Sequence, residues 1–185
     1  EAGHTFYCLT FPSANATWVF DLTTGIWHER GVWDDSLGIY DVWAPRSHCY
    51  GFGKHLVGDR DSGLICSMDT SFTTECNGDV IRRLRIPPPI FRAPGVRRMF
   101  VSRMELIMET GLGTATGQGV NPHVMLRSST NAKTWSNERL ATAGAMGAYD
   151  AQVVWTRLPS SLKLWVPEIT VTDPIPWRIM GAEID

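Results

Sequence analysis

The stretch Thr17-Trp18-Val19-Phe20-Asp21-Leu22-Thr23-Thr24-Gly25-Ile26-Trp27-His28-Glu29 decides the fold class. Trp18 and Phe20 alternate with Val19, so a period of two puts both rings on one side of an extended chain. Asp21 opens a turn, because its short carboxylate reaches the backbone two residues on. Gly25 supplies the positive φ that closes such a turn, and Ile26-Trp27 resume the strand. The unit reads as an antiparallel hairpin.

The same punctuation recurs outward. His48-Cys49-Tyr50-Gly51, Lys54-His55-Leu56-Val57-Gly58 and Gly63-Leu64-Ile65-Cys66-Ser67-Met68 read as further strands around the polar turn 58–63. Asp59-x-Asp61-x-Gly63 has the look of a calcium loop, but the twelfth position from Asp59 is Thr70 where an EF-hand needs glutamate, so a hairpin turn is the better reading. Between Met99 and Glu109, Met104, Leu106 and Met108 share one strand face, a core stripe. The loop 111–119 fits neither dinucleotide nor P-loop spacing, and Asn121-Pro122 follows where a helix would have to begin. Strands are expected at 123–128, 134–137, 151–158, 162–166 and 168–171. Residues 138–150 are helix-like in composition but are interrupted by Gly144 and Gly147 and lack a 3.6-residue apolar stripe. Pro87-Pro88-Pro89 cannot sit inside a sheet and reads as a connection. These features predict an all-β protein of antiparallel sheets arranged as part of a β-propeller. They divide the chain into kelch-like hairpin blades at 1–86, a Pro/Arg-rich connection at 87–98, and further blades at 99–185. Trp18, Trp27, Trp135 and Trp155 lie in predicted strands and are expected in the core, while Trp33 and Trp43 flank the loop 34–40.

Across its 185 residues the chain is 43% hydrophobic and carries net charge −2. That excludes a disordered chain and a uniformly basic nucleic-acid binder. No apolar run approaches the ~18–20 residues of a membrane helix, so no membrane anchor is expected. Glu1-Ala2-Gly3-His4 is not a basic-then-apolar leader, and strand-like sequence follows at once, as in a chain entered midway. The four cysteines, Cys8, Cys49, Cys66 and Cys76, form no Cys-x2-Cys zinc knuckle. Buried free thiols are the expected state, although the spacing of Cys66 and Cys76 permits a hairpin staple. Asn15-Ala16-Thr17 matches a glycosylation sequon, a single match of little weight.

Catalytic patterns are missing: there is neither a nucleophile elbow nor a His-Glu-x-x-His motif. Adjacent Asp34 and Asp35 would point to opposite faces of a strand, which suits a solvated loop better than a glycosidase pair. No enzyme activity, metal or cofactor is therefore expected. The charge distribution is more informative. Residues 1–79 hold 11 acidic and 4 basic side chains, a net of −7, whereas residues 80–103 hold Arg82, Arg83, Arg85, Arg92, Arg97, Arg98 and Arg103 with no acid. Fourteen arginines against three lysines favour bidentate contact with carboxylate or phosphate. These seven are the candidates for docking against an acidic neighbour, such as an identical subunit, or for facing nucleic-acid backbone. The competing assignment is a set of intramolecular bridges to the acidic half.

Several runs resemble the packaged-DNA stabilization proteins of short-tailed phages. They are Gly3-His4-Thr5-Phe6-Tyr7, Trp27-His28-Glu29-Arg30, His55-Leu56-Val57-Gly58-Asp59, Met108-Glu109-Thr110-Gly111-Leu112-Gly113, Val124-Met125-Leu126-Arg127-Ser128, Thr134-Trp135-Ser136-Asn137-Glu138, Gly147-Ala148-Tyr149, Trp155-Thr156-Arg157-Leu158 and Thr172-Asp173-Pro174. In that family the 128–135 region usually reads as an Asp-box, and Thr130 and Ala132 here replace its Asp and Gly, which should weaken the polar turn lock. The resemblance is to the later, C-terminal portion of the family. It implies a structural hub or nozzle of the virion tail, made in the host cytoplasm. Implied partners are further copies in a hexameric ring, head-to-tail adaptor proteins, a tail needle, plug or fibre, and packaged double-stranded DNA held non-specifically. Weak phosphate contact would suit a channel that must release its genome. The competing function is a propeller-type glycan-binding or sialidase-like module, which would need exposed aromatic platforms.

Overall fold

The computed structural model describes residues 3–185, so Glu1 and Ala2 of the N-terminal reading lie outside the described residues. The chain divides into two compact units, Glu1–Ile81 and Arg82–Asp185.

The first unit opens with an antiparallel four-stranded sheet in the order β1 (Phe6–Phe11), β2 (Ala16–Asp21), β3 (Ile26–Asp34) and β4 (Ile39–Val42). The β2–β3 hairpin forms as its sequence dictates. Asp21 accepts from the Thr23 amide at 2.9 Å and the Thr24 hydroxyl at 2.7 Å, and Gly25 has φ 71°. Burial works to raise the Asp21 pKa, but those two donors and His4, 2.7 Å away, hold it at about 2. A second antiparallel sheet joins β5 (Pro45–Gly51), β6 (Lys54–Asp59) and β7 (Ile65–Met68) in sequence order. The Asp59 carboxylate takes the Asp61 amide at 2.8 Å and the Ser62 hydroxyl at 2.7 Å, committing both its oxygens to the turn.

Two expectations need correcting in this unit. Cys66 and Cys76 form a disulfide with Cα atoms 6.0 Å apart, while Cys8 and Cys49 are free but exposed rather than buried. Cys66 sits on β7 and the chain folds back through the Thr74–Val80 bridge, which brings Cys76 within bonding reach. Trp18 and Trp27 do share the aromatic side of the sheet, but they are exposed rather than core. Val19, Thr17 and Asp21 hold the buried side of β2 instead.

The second unit contains β8 (Arg83–Arg85), β9 (Ile90–Phe91), β10 (Arg103–Met108), β11 (His123–Ser129), β12 (Arg139–Thr142), β13 (Val153–Thr156), β14 (Leu164–Val171) and β15 (Ile179–Ile184). One sheet runs β13-β10-β15, and the other runs β12-β11-β14-β8 with β9 also on β14. Met104, Leu106 and Met108 of β10 and Trp155 of β13 share one core with Val124 and Leu126 of β11 and Trp165, Ile169 and Val171 of β14. Two sheets sealing a common core make a sandwich. The propeller expectation is corrected accordingly: β10 pairs with strands far along the chain rather than with sequence neighbours, and among the described residues no closed propeller forms.

The strands expected at 162–166 and 168–171 merge into β14 across Pro167. Pairing on the β8/β9 side lapses at 166–168, where an imino acid is tolerated. Residues 134–137 are a loop rather than a strand, and β12 occupies the start of the helix-like stretch. The triple proline spans the gap between β8 and β9, both of which pair with β14.

Candidate interaction surface

Within the arginine segment β8 and β9 lie along the outer edge of the five-stranded sheet, Arg103 opens β10 in the other sheet, and the seven arginines divide by what their guanidinium groups touch. Arg83 is half-buried and donates to the carbonyls of Asp173 and Ile175, each at 2.5 Å. Burial pushes its pKa down and the nearby Asp173 carboxylate pulls it back up. Arg82 reaches Glu138 at 3.5 Å. Arg103 bonds Glu105 and lies 3.8 Å from the Asp185 carboxylate. These three tie β8, β10 and β15 to their own unit. Arg85, Arg92, Arg97 and Arg98 are exposed, and Arg98 donates to the Ser160 hydroxyl at 3.2 Å.

Arg98 and Lys163 flank a shallow cleft that also includes Thr130, Asn131 and Ser160. Thr130 and Asn131 belong to the degenerate Asp-box turn, where Thr130 in place of the Asp predicts a weakened lock. Asn131, not position 130, accepts from the amides of Lys133 and Thr134 at 2.9 and 2.8 Å and from the Thr134 hydroxyl at 3.1 Å. Ala132 takes the left-handed conformation, φ 59°, that glycine would adopt more readily. Trp135 then lies over Arg127, 5.6 Å from its guanidinium, and Arg127 bonds the buried Glu168 at 2.7 Å. The turn is an architectural feature of the sandwich surface.

The carboxylates considered for chemistry are likewise engaged locally. Asp34 caps its turn by accepting from the Ser36 amide and hydroxyl at 2.8 and 2.6 Å, which lowers its pKa, and Asp35 accepts from the Trp33 indole at 2.7 Å. No group of three or more His, Cys, Asp or Glu side chains is arranged to hold a metal among the described residues. The exposed arginines of the segment stand among exposed Leu84, Ile86, Phe91, Val96 and Phe100.

The family model for the bacteriophage P22 Gp10 β-sandwich matches residues 91–185, which carry the two facing sheets except β8 and the first residue of β9. The chain belongs to that family. No curated protein matches it. Membership in the P22 Gp10 family makes the chain a structural phage-tail protein of the hub or nozzle type and locates it in the virion. The P22 Gp10 match and the shared core agree on a sandwich for this part of the chain. In the first unit, sequence reasoning missed the open aromatic side of the β1–β4 sheet. Its signal was present in the alternation of Tyr7, Leu9 and Phe11 opposite Trp18 and Phe20.

Proposed function

We propose that the chain builds a ring below the phage portal and its adaptor, retains the packaged DNA in the head, and receives the plug or needle at the far side. The observation that carries this reading is the family match over a sandwich whose edge displays Arg85, Arg92, Arg97 and Arg98 to solvent. Exposed arginines with apolar neighbours suit contacts to acidic protein surfaces. They sit first at the subunit or adaptor interface and second along the DNA path, while Arg82, Arg83 and Arg103 serve the sandwich itself. The work is mechanical: a ring that holds a duplex by shape and plugging needs few strong phosphate contacts.

The test is to produce particles lacking the protein and measure nuclease-accessible DNA. The expected result is filled heads that leak their genome, rescued by supplying the wild-type chain. Particles that retain DNA and infect normally without it would refute the proposal. A glycan-binding role has one observation in its favour, the exposed Trp18 and Trp27 on one sheet face.

A further inference from the structure

Residues opposite one another in an antiparallel ladder project to the same side. The rows Tyr7–Phe20–Trp27 and Leu9–Trp18–Glu29, continued by Phe11 and by Trp33 opposite Tyr40, therefore share one face of the β1–β4 sheet. That face is open: Tyr7 is 55% exposed, Trp27 48%, Phe11 45% and Trp18 42%. The reverse face is capped by Arg30, 4.7 Å from the Phe6 ring and 5.0 Å from the Trp43 ring. At 150–250 Å² per aromatic side chain and about half exposure, the four open rings present roughly 300–500 Å². With a polar rim, that is the apolar centre of the roughly 800 Å² per partner buried in a stable complex.

We infer that this aromatic face seats a second copy of the chain, which presents its segment 84–100. The inference rests on the ring-forming role proposed above and names the surfaces that would make it. The segment exposes Leu84, Ile86, Phe91, Val96 and Phe100, interleaved with Arg85, Arg92, Arg97 and Arg98. Guanidinium groups bind well over the faces of tryptophan and tyrosine. Glu29, the one acid on the aromatic side among the described strand residues, supplies a carboxylate in the middle of the face. Charge agrees at larger scale: residues 1–81 carry 11 acids against 4 bases, and residues 82–185 carry 8 acids against 13 bases. Opposed patches on one chain make a heterologous contact, the kind that closes into a ring. A sugar would find stacking surface here, but in the first two rows only Glu29, the Tyr7 hydroxyl and the indole N–H groups of Trp18 and Trp27 could meet its hydroxyls.

The experiment installs a photo-crosslinking p-benzoylphenylalanine at Trp27 of the full chain, with a second variant at Tyr7, and mixes it with isotope-heavy wild-type chain before irradiation. Adducts joining light and heavy copies should map to 84–100. Arg92→Glu with Arg97→Glu in the heavy copy should lower their yield on the order of tenfold. Adducts confined to one copy, adducts elsewhere on the second copy, or a monomer that instead takes up an oligosaccharide through Trp18 and Trp27 would each overturn the inference. A chain incorporated into particles without these adducts loses only this docking surface. A chain that forms the adducts but is absent from particles loses the tail role.

Discussion

Replacing Arg83 by alanine should destabilise the sandwich far more than the same change at any exposed arginine of the segment. The Arg83 fork bonds two carbonyls, those of Asp173 and Ile175, and fastens the connection between β14 and β15 to strand β8. Charge-assisted hydrogen bonds contribute about 1.5–3 kcal/mol each, and truncation also leaves two carbonyls without this donor. Allowing for partial solvent access, the expected loss is roughly 2–4 kcal/mol, or a fall in Tm of about 10–20 °C for a unit this size. Arg97→Ala, at an exposed site, should stay within about 0.5 kcal/mol. Urea unfolding followed by tryptophan emission reads both, because Trp155 and Trp165 lie in the sandwich core. Arg83→Lys, whose single ammonium cannot reproduce the fork, should fall between them. Equal midpoints for Arg83→Ala and Arg97→Ala would refute the division of the segment into structural and presented arginines.

Three further outcomes are expected. The Asp21 carboxyl titrates near 2 in the folded chain, below its unfolded value near 4, so its stabilisation is present above about pH 4 and is lost as pH falls toward 2. Asp21→Asn should flatten that acid limb in a pH series of first-unit unfolding. Cys66→Ser should cost about 2–3 kcal/mol in the same unit, by the chain-entropy gain of a short closed loop. Thiol titration should find two reactive groups, Cys8 and Cys49, before reduction and four after it. At the box turn, Asn131→Ala should destabilise the sandwich by about 1–2 kcal/mol, whereas Ala132→Gly should stabilise it by up to about 1 kcal/mol, both read by thermal melting.

The β2–β3 hairpin was legible because its causes are local: Asp21 and Gly25 set the turn, and two-residue alternation set the faces. The Met104-Leu106-Met108 stripe was legible for the same reason, since alternation alone assigns a buried side. Sheet partnership was not. β10 lies between β13 and β15, and no local pattern encodes a partner fifty or eighty residues away; recurring turn signals and aromatic strands look the same in blades and in a sandwich. The arginine segment was visible as composition, but whether a guanidinium points at a backbone carbonyl, as Arg83 does, or at solvent, as Arg97 does, depends on which strand lies alongside. Trp18 and Trp27 misled because alternation places side chains on a face without saying whether anything covers it. Thr130 drew attention by its place in a motif, while Asn131 one residue later supplies the lock.

The most direct test of the tail assignment is an electron cryomicroscopy reconstruction of phage particles that carry this chain. The account predicts its density as a symmetric ring below the portal and adaptor, around the DNA path, with Arg85, Arg92, Arg97 and Arg98 against a neighbouring protein. A tail with no density for the chain, or a chain present only as isolated subunits away from the channel, would contradict it.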